Sequence, residues 1–152
     1  MSKLTHTDNN GNARMVDVSE KPKMHRAATA EGFISLQKET LQLIHENKTN
    51  KGDVLQVAKL AGIQGAKKTS DFIFLSHPLN LTHIDVILFP EETGIRVQAT
   101  TKITDRTGVE MEALTAVNIA LLNIYDMCKA VDQSMQISDI RLKDKQKTHS
   151  HE

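Results

Sequence analysis

The segment from Thr107 to Val131 has the longest apolar periodicity of the sequence, and it constrains the fold more than any other feature. Its apolar residues recur on a helical period, so we predict one principal helix over this segment. At about 100° per residue, Leu114, Val117 and Leu121 lie on one side of that helix. The apolar residues spread wider than a simple core stripe, which is typical of a helix covered by more than one neighbour. A second subunit is a natural candidate for that cover.

The same helix carries a signal for its start and a polar side. The residues from Thr107 to Glu110 fit a capping box, with Thr107 as the N-cap and Glu110 at position N3. Along a straight helix, Glu110 lies about 24 Å from Asp126, at 1.5 Å per residue. The predicted polar stripe comprises Glu112, Thr115, Asn118, Asn123, Asp126 and Lys129.

Shorter periodic segments surround the principal helix and predict an antiparallel sheet. Asp53 is a plausible N-cap for a helix running to Lys68, in which Gly62 and Gly65 indicate close packing against another element. Pro90 and the residues up to 94 predict a hairpin turn. We predict strands at 13–18, 26–34, 81–89, 95–103 and 136–142, and a further helix at 35–47. These elements predict an α+β sandwich of an antiparallel sheet covered by helices.

The length and ends of the chain predict a single domain over residues 1–152. The polar ends, about 1–12 and 143–152, are expected to be mobile. There is no secretory or membrane-spanning apolar segment, so we expect a cytoplasmic protein. Cys128 is the only cysteine, which excludes an internal disulfide framework and a cysteine-based zinc site. No metal is expected.

The charge balance limits the partners of the protein. Lys and Arg number 19 and so do Asp and Glu, giving a formal net charge of zero. Such a protein has no broad electrostatic attraction for nucleic acid or an anionic membrane. Any anionic ligand must therefore be held by a local cluster of cations.

Three short patterns could supply such chemistry. Lys51 precedes the predicted helix that Asp53 caps, and anions bind readily near a helix N-terminus. His77 lies directly before a proline, and Asp126 shares a helix face with Lys129 at spacing i,i+3. Each also has an ordinary structural explanation, as an exposed lysine, a surface histidine and a solvated ion pair. Spacing alone therefore predicts an α+β domain with local cation sites.

Longer strings carry a specific resemblance. The segments at 14–18, 51–54, 61–67 and 75–79 follow one another as in the cyclic pyranopterin monophosphate synthases, the C protein of the molybdenum-cofactor pathway. The strings TGVEMEALTA at 107–116 and YDMCKAV at 125–131 are the most specific. Two departures are visible. Ser76 stands where relatives usually carry Cys, and the ending around Lys145 replaces a Gly-Gly-Lys-Ser-rich ending.

The resemblance implies both the architecture and the reaction. The expected fold is a ferredoxin-like α+β fold, assembled as a homohexamer, a trimer of dimers with active sites at subunit interfaces. The implied activity is that of a lyase that needs no cofactor. Its substrate is 3′,8-cyclo-7,8-dihydroguanosine 5′-triphosphate, which is converted to cyclic pyranopterin monophosphate with release of diphosphate.

The resemblance also implies the residues of the site. The expected catalytic residues are Asp126, Lys129 and Lys51. Lys145 falls where the family places a functional lysine. The expected substrate-binding residues are Leu75, Ser76, His77, Glu110, Met111, Glu112, Arg26 and Lys145.

Simple chemistry agrees with these roles. A triphosphate needs converging cations, and ring opening and reclosure need proton transfers, which suit a carboxylate beside a lysine. Glu110 and Asp126 are too far apart to share one pocket within a chain, whereas a dimer could bring opposite helix ends together. The alternative is a non-catalytic oligomer that binds nucleotide as a regulator or scaffold.

Overall fold

A four-stranded antiparallel sheet forms the centre of the fold in the computed structural model, which describes residues 5–149. The strands lie in the order β2-β3-β1-β4, so β1 and β3 are central and β2 and β4 form the edges. β1 pairs with β3 in an unbroken register, whereas its pairing with β4 contains two register shifts. The strands are β1 (Met24–Ser35), β2 (His83–Glu91), β3 (Gly94–Asp105) and β4 (Gln136–His149).

Helices connect the strands and cover one face of the sheet. The two longest pack against each other and against the sheet, α2 on β2 and α4 on β1 and β3. The chain order is strand, helices, two strands, helix and strand. The helices are α1 (Lys38–His45), α2 (Val54–Lys67), α3 (Thr69–Phe72) and α4 (Glu110–Cys128). The predicted α+β class, with an antiparallel sheet and covering helices, is confirmed.

Small residues allow the helices to approach one another and the sheet. A Cβ on Gly65 would come within 2.8 Å of the Ile119 side chain, and one on Gly62 within 3.0 Å of the Ala116 carbonyl oxygen. On the sheet, a Cβ on Gly32 would come within 2.8 Å of Leu121. The close packing expected at the two α2 glycines is therefore confirmed. Aliphatic side chains fill the interior, including Ala30, Ile34, Val86, Val97, Val117, Leu121 and Ile124.

Two expectations for local structure are wrong. Residues 13–18 form no strand, and this segment has only an isolated bridge between Thr7 and Ala13. Residues 13–18 pair with neither edge strand of the sheet, β2 or β4. Pro90 lies inside β2 instead of beginning the turn. An edge strand tolerates proline because it can leave its outward positions without a ladder hydrogen bond.

The start of α4 also differs from the expectation. α4 begins at Glu110 with Val109 as its N-cap, and no side chain caps it. The hydroxyl of Thr101 donates instead to the carbonyl of Val109 at 2.9 Å, fixing the start of the helix to the sheet. The Thr107–Glu110 capping box is therefore wrong, since Val109 is the N-cap and no side chain caps it. Glu112, expected in the polar stripe of α4, is buried.

The C-terminal part of the described chain completes the sheet. Residues 143–149, in the terminus expected to be mobile, belong to β4 and pair with β1. Of the terminal residues expected to be mobile, 1–4 and 150–152 lie outside the described part of the chain. Between residues 5 and 149, no helix has both the length and the apolar character needed to cross a membrane.

Candidate active site

A large cavity lies at the end of the sheet where α4 begins. Its volume is about 1030 Å³, and its walls come from the N-terminal segment, the start of β1, the loop after α3, the start of α4 and the end of β4. A smaller cavity of about 150 Å³ lies beside it, between the start of α4 and the end of β4. Arg26, Gly108 and Lys147 line both cavities and so separate them.

The structure brings all the expected substrate-binding residues to these two cavities. Glu110 and Lys145 line the smaller one, where their side chains form an ion pair of 3.5 Å. Arg26 lines both cavities. The large cavity is lined by Arg26, Leu75, Ser76, His77, Met111 and Glu112.

The loop after α3 is held by its own hydrogen bonds. The Ser76 hydroxyl donates to the Ile73 carbonyl at 2.8 Å. Nε2 of His77 lies 2.8 Å from the carbonyl of Val16, to which it donates. This bond ties the N-terminal segment across the cavity and assigns a proton to Nε2. The Nδ1 atom is the ring nitrogen left for a ligand.

Glu112 is the carboxyl group of the large cavity. It is 4% exposed. Burial raises the pKa of Glu112 to about 7, and the negative charge of Glu110 adds to the increase. A carboxyl with this pKa is divided between its neutral and ionised forms near pH 7, so it can donate or accept a proton. The resemblance placed Glu112 at the site, but its burial was not expected.

A cationic wall lines the same cavity as Glu112, and most of its residues were not expected from the sequence. It consists of Lys21, Arg26, Arg106 and Lys147, which all line the large cavity. Arg26 donates to the backbone carbonyls of Asp105 and Arg106 at 3.2 and 3.1 Å, and Arg106 donates to that of Lys21 at 3.0 Å. Carbonyls are neutral, so among residues 5–149 no ion pair balances the positive charge of either guanidinium group. No sequence periodicity identifies this wall, because its members come from four separate segments.

A second group of charged residues lies near the other end of α4. Nζ of Lys51 lies 2.9 Å from Oδ2 of Asp126, and Nζ of Lys129 lies 2.7 Å from Oδ1. Lys51 also donates to the backbone carbonyl of Asp126 at 3.0 Å. The three expected catalytic residues therefore form one exposed cluster, the Lys51–Asp126–Lys129 cluster. Lys51 reaches it from the loop before α2.

The two lysines control the ionisation of Asp126. Hydrogen bonds from Lys129 and then Lys51 lower the pKa of Asp126 to about 2. The hydrogen bond that Lys129 donates to Asp126 in turn raises the pKa of Lys129. Asp126 is therefore fully ionised at neutral pH. It accepts a proton readily only when an anionic ligand draws the lysines away from it.

The cavity and the charged cluster lie at opposite ends of one helix. α4 runs without interruption from Glu110 to Cys128. At 1.5 Å per residue, Glu110 and Asp126 are about 24 Å apart along its axis. The expected separation within one chain is therefore confirmed, and Lys51 and Lys129 do not join the cationic wall. Within residues 5–149, no group of three His, Cys, Asp or Glu side chains is arranged to hold a metal ion.

Comparisons with known proteins cover nearly the whole chain. A cyclic pyranopterin monophosphate synthase from Thermomicrobium roseum is 53% identical over 147 residues, covering 95% of this chain and 89% of that protein. Synthases of the same name from Dinoroseobacter shibae and Cereibacter sphaeroides are each 55% identical over 144 residues, covering 93% of this chain and 91% of theirs. A sequence profile of the MoaC family matches residues 15–148, which include the cavity wall and the charged cluster. The chain therefore belongs to the MoaC family.

Proposed function

We propose that this protein is a cyclic pyranopterin monophosphate synthase, a lyase of molybdenum cofactor biosynthesis. Its substrate is 3′,8-cyclo-7,8-dihydroguanosine 5′-triphosphate, and the products are cyclic pyranopterin monophosphate and diphosphate. The observation that carries the proposal is the large cavity, which combines a cationic wall with a carboxyl group of near-neutral pKa. Its volume of about 1030 Å³ is sufficient for a nucleotide.

Different walls of the cavity bind different parts of the substrate. The cationic wall binds the triphosphate, because charge-assisted hydrogen bonds from Arg and Lys suit phosphate oxygens. Leu75 and Met111 supply apolar surface for the ring system. Ser76 borders the ring system, and Nδ1 of His77 is placed to bind a polar group. Glu112 exchanges protons with the rearranging ring, since its pKa of about 7 matches that task.

Lys51, Asp126 and Lys129 act as a second catalytic group. Asp126 holds both ammonium groups in place at 2.9 and 2.7 Å. When substrate anions attract the lysines, the pKa of Asp126 rises from its low value, and the carboxylate becomes a better proton acceptor. Asp126 is the proton carrier of this group.

We further propose that two chains build each site. The ferredoxin-like chains assemble as a homohexamer, a trimer of dimers, in the cytoplasm. The 24 Å separation along α4 supports this, because one substrate molecule cannot contact both groups within one chain. Apolar side chains also remain exposed on the outer surfaces of α2 and α4: Val57, Leu60, Leu122 and Tyr125. Such a surface is typical of a protein interface.

Diphosphate release tests the proposed reaction. The purified protein is mixed with the cyclised triphosphate substrate, and diphosphate is measured against time. The expected result is catalytic release of one diphosphate per pyranopterin formed. Tight binding of the substrate without any diphosphate would favour the alternative of a nucleotide-binding regulator and overturn the enzymatic proposal.

Mixing two inactive variants tests the shared site. Glu112→Gln damages the cavity and Asp126→Asn damages the charged cluster. If each site takes its cavity from one chain and its cluster from another, refolding the two variants together restores part of the activity. If each chain has a complete site, the mixture stays as inactive as its components, and the two-chain site is wrong. A refolded mixture of wild type and Glu112→Gln provides the control.

A further inference from the structure

Lys147 lies next to Arg26, at a position to which the family resemblance assigns no role. The two residues are direct partners in the antiparallel pairing of β1 with β4. Direct partners project from the same face of a sheet, with Cβ atoms about 4.5–5.5 Å apart. Both residues line the large and the small cavity. Lys147 therefore lies with Arg26 at the junction of the two cavities.

The charge of Lys147 is unbalanced, unlike that of the other lysines nearby on β4. Lys145 pairs with Glu110 at 3.5 Å, and Lys143 lies 3.8 Å from the carboxylate of Glu31. Within residues 5–149, Lys147 has no carboxylate within ion-pair distance. Arg26 directs its hydrogen bonds to backbone carbonyls, which do not neutralise it.

Two like charges on directly opposed residues destabilise a sheet unless an anion lies between them. We propose that Lys147 is a substrate-binding residue that, with Arg26, holds the phosphate chain of the nucleotide where the two cavities meet. This inference rests on the proposed function for the identity of the nucleotide. Lys145, by contrast, can contact an anion only after its ion pair with Glu110 breaks.

The sizes of the two cavities favour one direction for the phosphate chain. The small cavity, at about 150 Å³, is below the roughly 300 Å³ of pockets that take whole small molecules. It can take the end of a phosphate chain, while the large cavity holds the ring system. The diphosphate that leaves is therefore the part of the substrate next to Lys147.

Titration with inorganic tripolyphosphate tests Lys147 independently of the reaction. Removing one charge-assisted hydrogen bond weakens binding about tenfold or more. Lys147→Ala is therefore expected to bind tripolyphosphate about tenfold more weakly than wild type by calorimetry. In the diphosphate assay it raises KM by a similar factor and changes kcat less than about threefold. Lys147→Arg keeps the charge and is expected to retain most of the affinity.

Lys59→Ala is the matched control, because Lys59 is an exposed lysine on α2 that lines neither cavity. It should bind tripolyphosphate like wild type. If Lys147→Ala binds tripolyphosphate within about twofold of wild type, or loses kcat at unchanged affinity, the assignment of Lys147 is wrong. If wild type releases no diphosphate but Lys147→Ala still loses tripolyphosphate affinity, the proposed reaction is wrong and the phosphate site stands.

Discussion

The buried carboxylate of Asp132 accepts a 2.7 Å hydrogen bond from the backbone N–H of Gln37, which lies 95 residues earlier in the chain. Gln37 is the N-cap of α1, and its own side chain makes no capping bond. The other oxygen of Asp132 accepts bonds from the N–H and hydroxyl of Ser134 at 3.0 and 2.8 Å. The loop between α4 and β4 therefore fixes the start of α1.

Asp132→Ala should destabilise the protein by about 1–3 kcal/mol, because it leaves the Gln37 N–H without its partner. Urea unfolding measures the loss. Asp71→Ala is the control, since Asp71 makes only an exposed ion pair of 3.8 Å and should change stability by less than about 0.5 kcal/mol. Equal effects of the two substitutions would show that the hydrogen bond from Gln37 to Asp132 contributes nothing to stability.

Glu112 should make the stability depend on pH near neutrality. The pKa of Glu112 rises from 4.5 to about 7 on folding, so the folded state holds a proton that the unfolded state releases. Stability therefore falls as the pH rises from about 4.5 to 7 and levels off above that. The total effect is of the order of 3 kcal/mol. Glu112→Gln should lack this fall.

Urea unfolding of wild type and Glu112→Gln from pH 5 to 8.5 measures the difference. The two stability curves should diverge as the pH rises, with the variant more stable at the alkaline end. Activity provides a second measurement, because Asp126 stays ionised in this range. The wild-type kcat/KM profile should therefore show a near-neutral limb that belongs to Glu112. Parallel stability curves would contradict the raised pKa.

Local signals predicted the helix capped by Asp53, where the carboxylate accepts from the Gln56 N–H at 3.0 Å. The capping box at Thr107 was wrong: Val109 is the N-cap of α4, and its carbonyl accepts a hydrogen bond from Thr101 of a neighbouring strand. A local pattern cannot include such a contact. The same limit explains why Pro90 was placed in a turn, since only the sheet order makes β2 an edge.

The candidate site was likewise only partly predictable from the sequence. The resemblance supplied the residues of the loop after α3, such as His77, from their sequence strings. It could not supply Lys147, whose position opposite Arg26 depends on two register shifts between β1 and β4. The burial of Glu112, and hence its pKa, depends on walls from several segments. The sequence therefore indicated which residues line the cavities better than it indicated their electrostatics.

Gly65→Ala should destabilise the protein by about 1–2 kcal/mol. The methyl group improves helix propensity by up to about 1 kcal/mol, but it would lie 2.9 Å from Cβ of Ile119. Cβ atoms are fixed to the backbone, so α2 and α4 must separate, and overpacking of this kind costs about 1–3 kcal/mol. Thermal unfolding compares it with Gln64→Ala, an exposed neighbour on α2 that should be nearly neutral. If Gly65→Ala is more stable than wild type, α2 and α4 separate at little cost in free energy.

Ser76 should tolerate substitution better than His77. The Ser76 hydroxyl bonds only to the Ile73 carbonyl of its own loop, so Ser76→Cys should keep most of the activity. His77 fixes the N-terminal segment through Val16 and offers Nδ1 to the substrate, so His77→Ala should lose most of it. Steady-state diphosphate release measures both variants. Equal losses would contradict the separate roles of these neighbours.

Asp126→Asn should lower kcat at least a hundredfold while leaving substrate affinity within about threefold. The amide keeps the size of the side chain and one hydrogen-bond acceptor but cannot take up a proton. The pKa of Lys129 should fall at the same time, because in the wild type it is raised by the hydrogen bond that Lys129 donates to ionised Asp126. NMR titration of the lysine side chains measures that fall, and single-turnover diphosphate release measures the chemistry.

Lys129→Ala provides the comparison for Asp126. It removes a cation that can contact an anionic substrate and also removes one of the two lysines that hold Asp126 ionised. It should therefore weaken binding as well as turnover. If Asp126→Asn binds substrate as weakly as Lys129→Ala, the carboxylate serves to position the lysines. If Asp126→Asn turns over normally, the 2.7 Å contact with Lys129 is an ordinary surface ion pair, and proton transfer belongs to Glu112 alone.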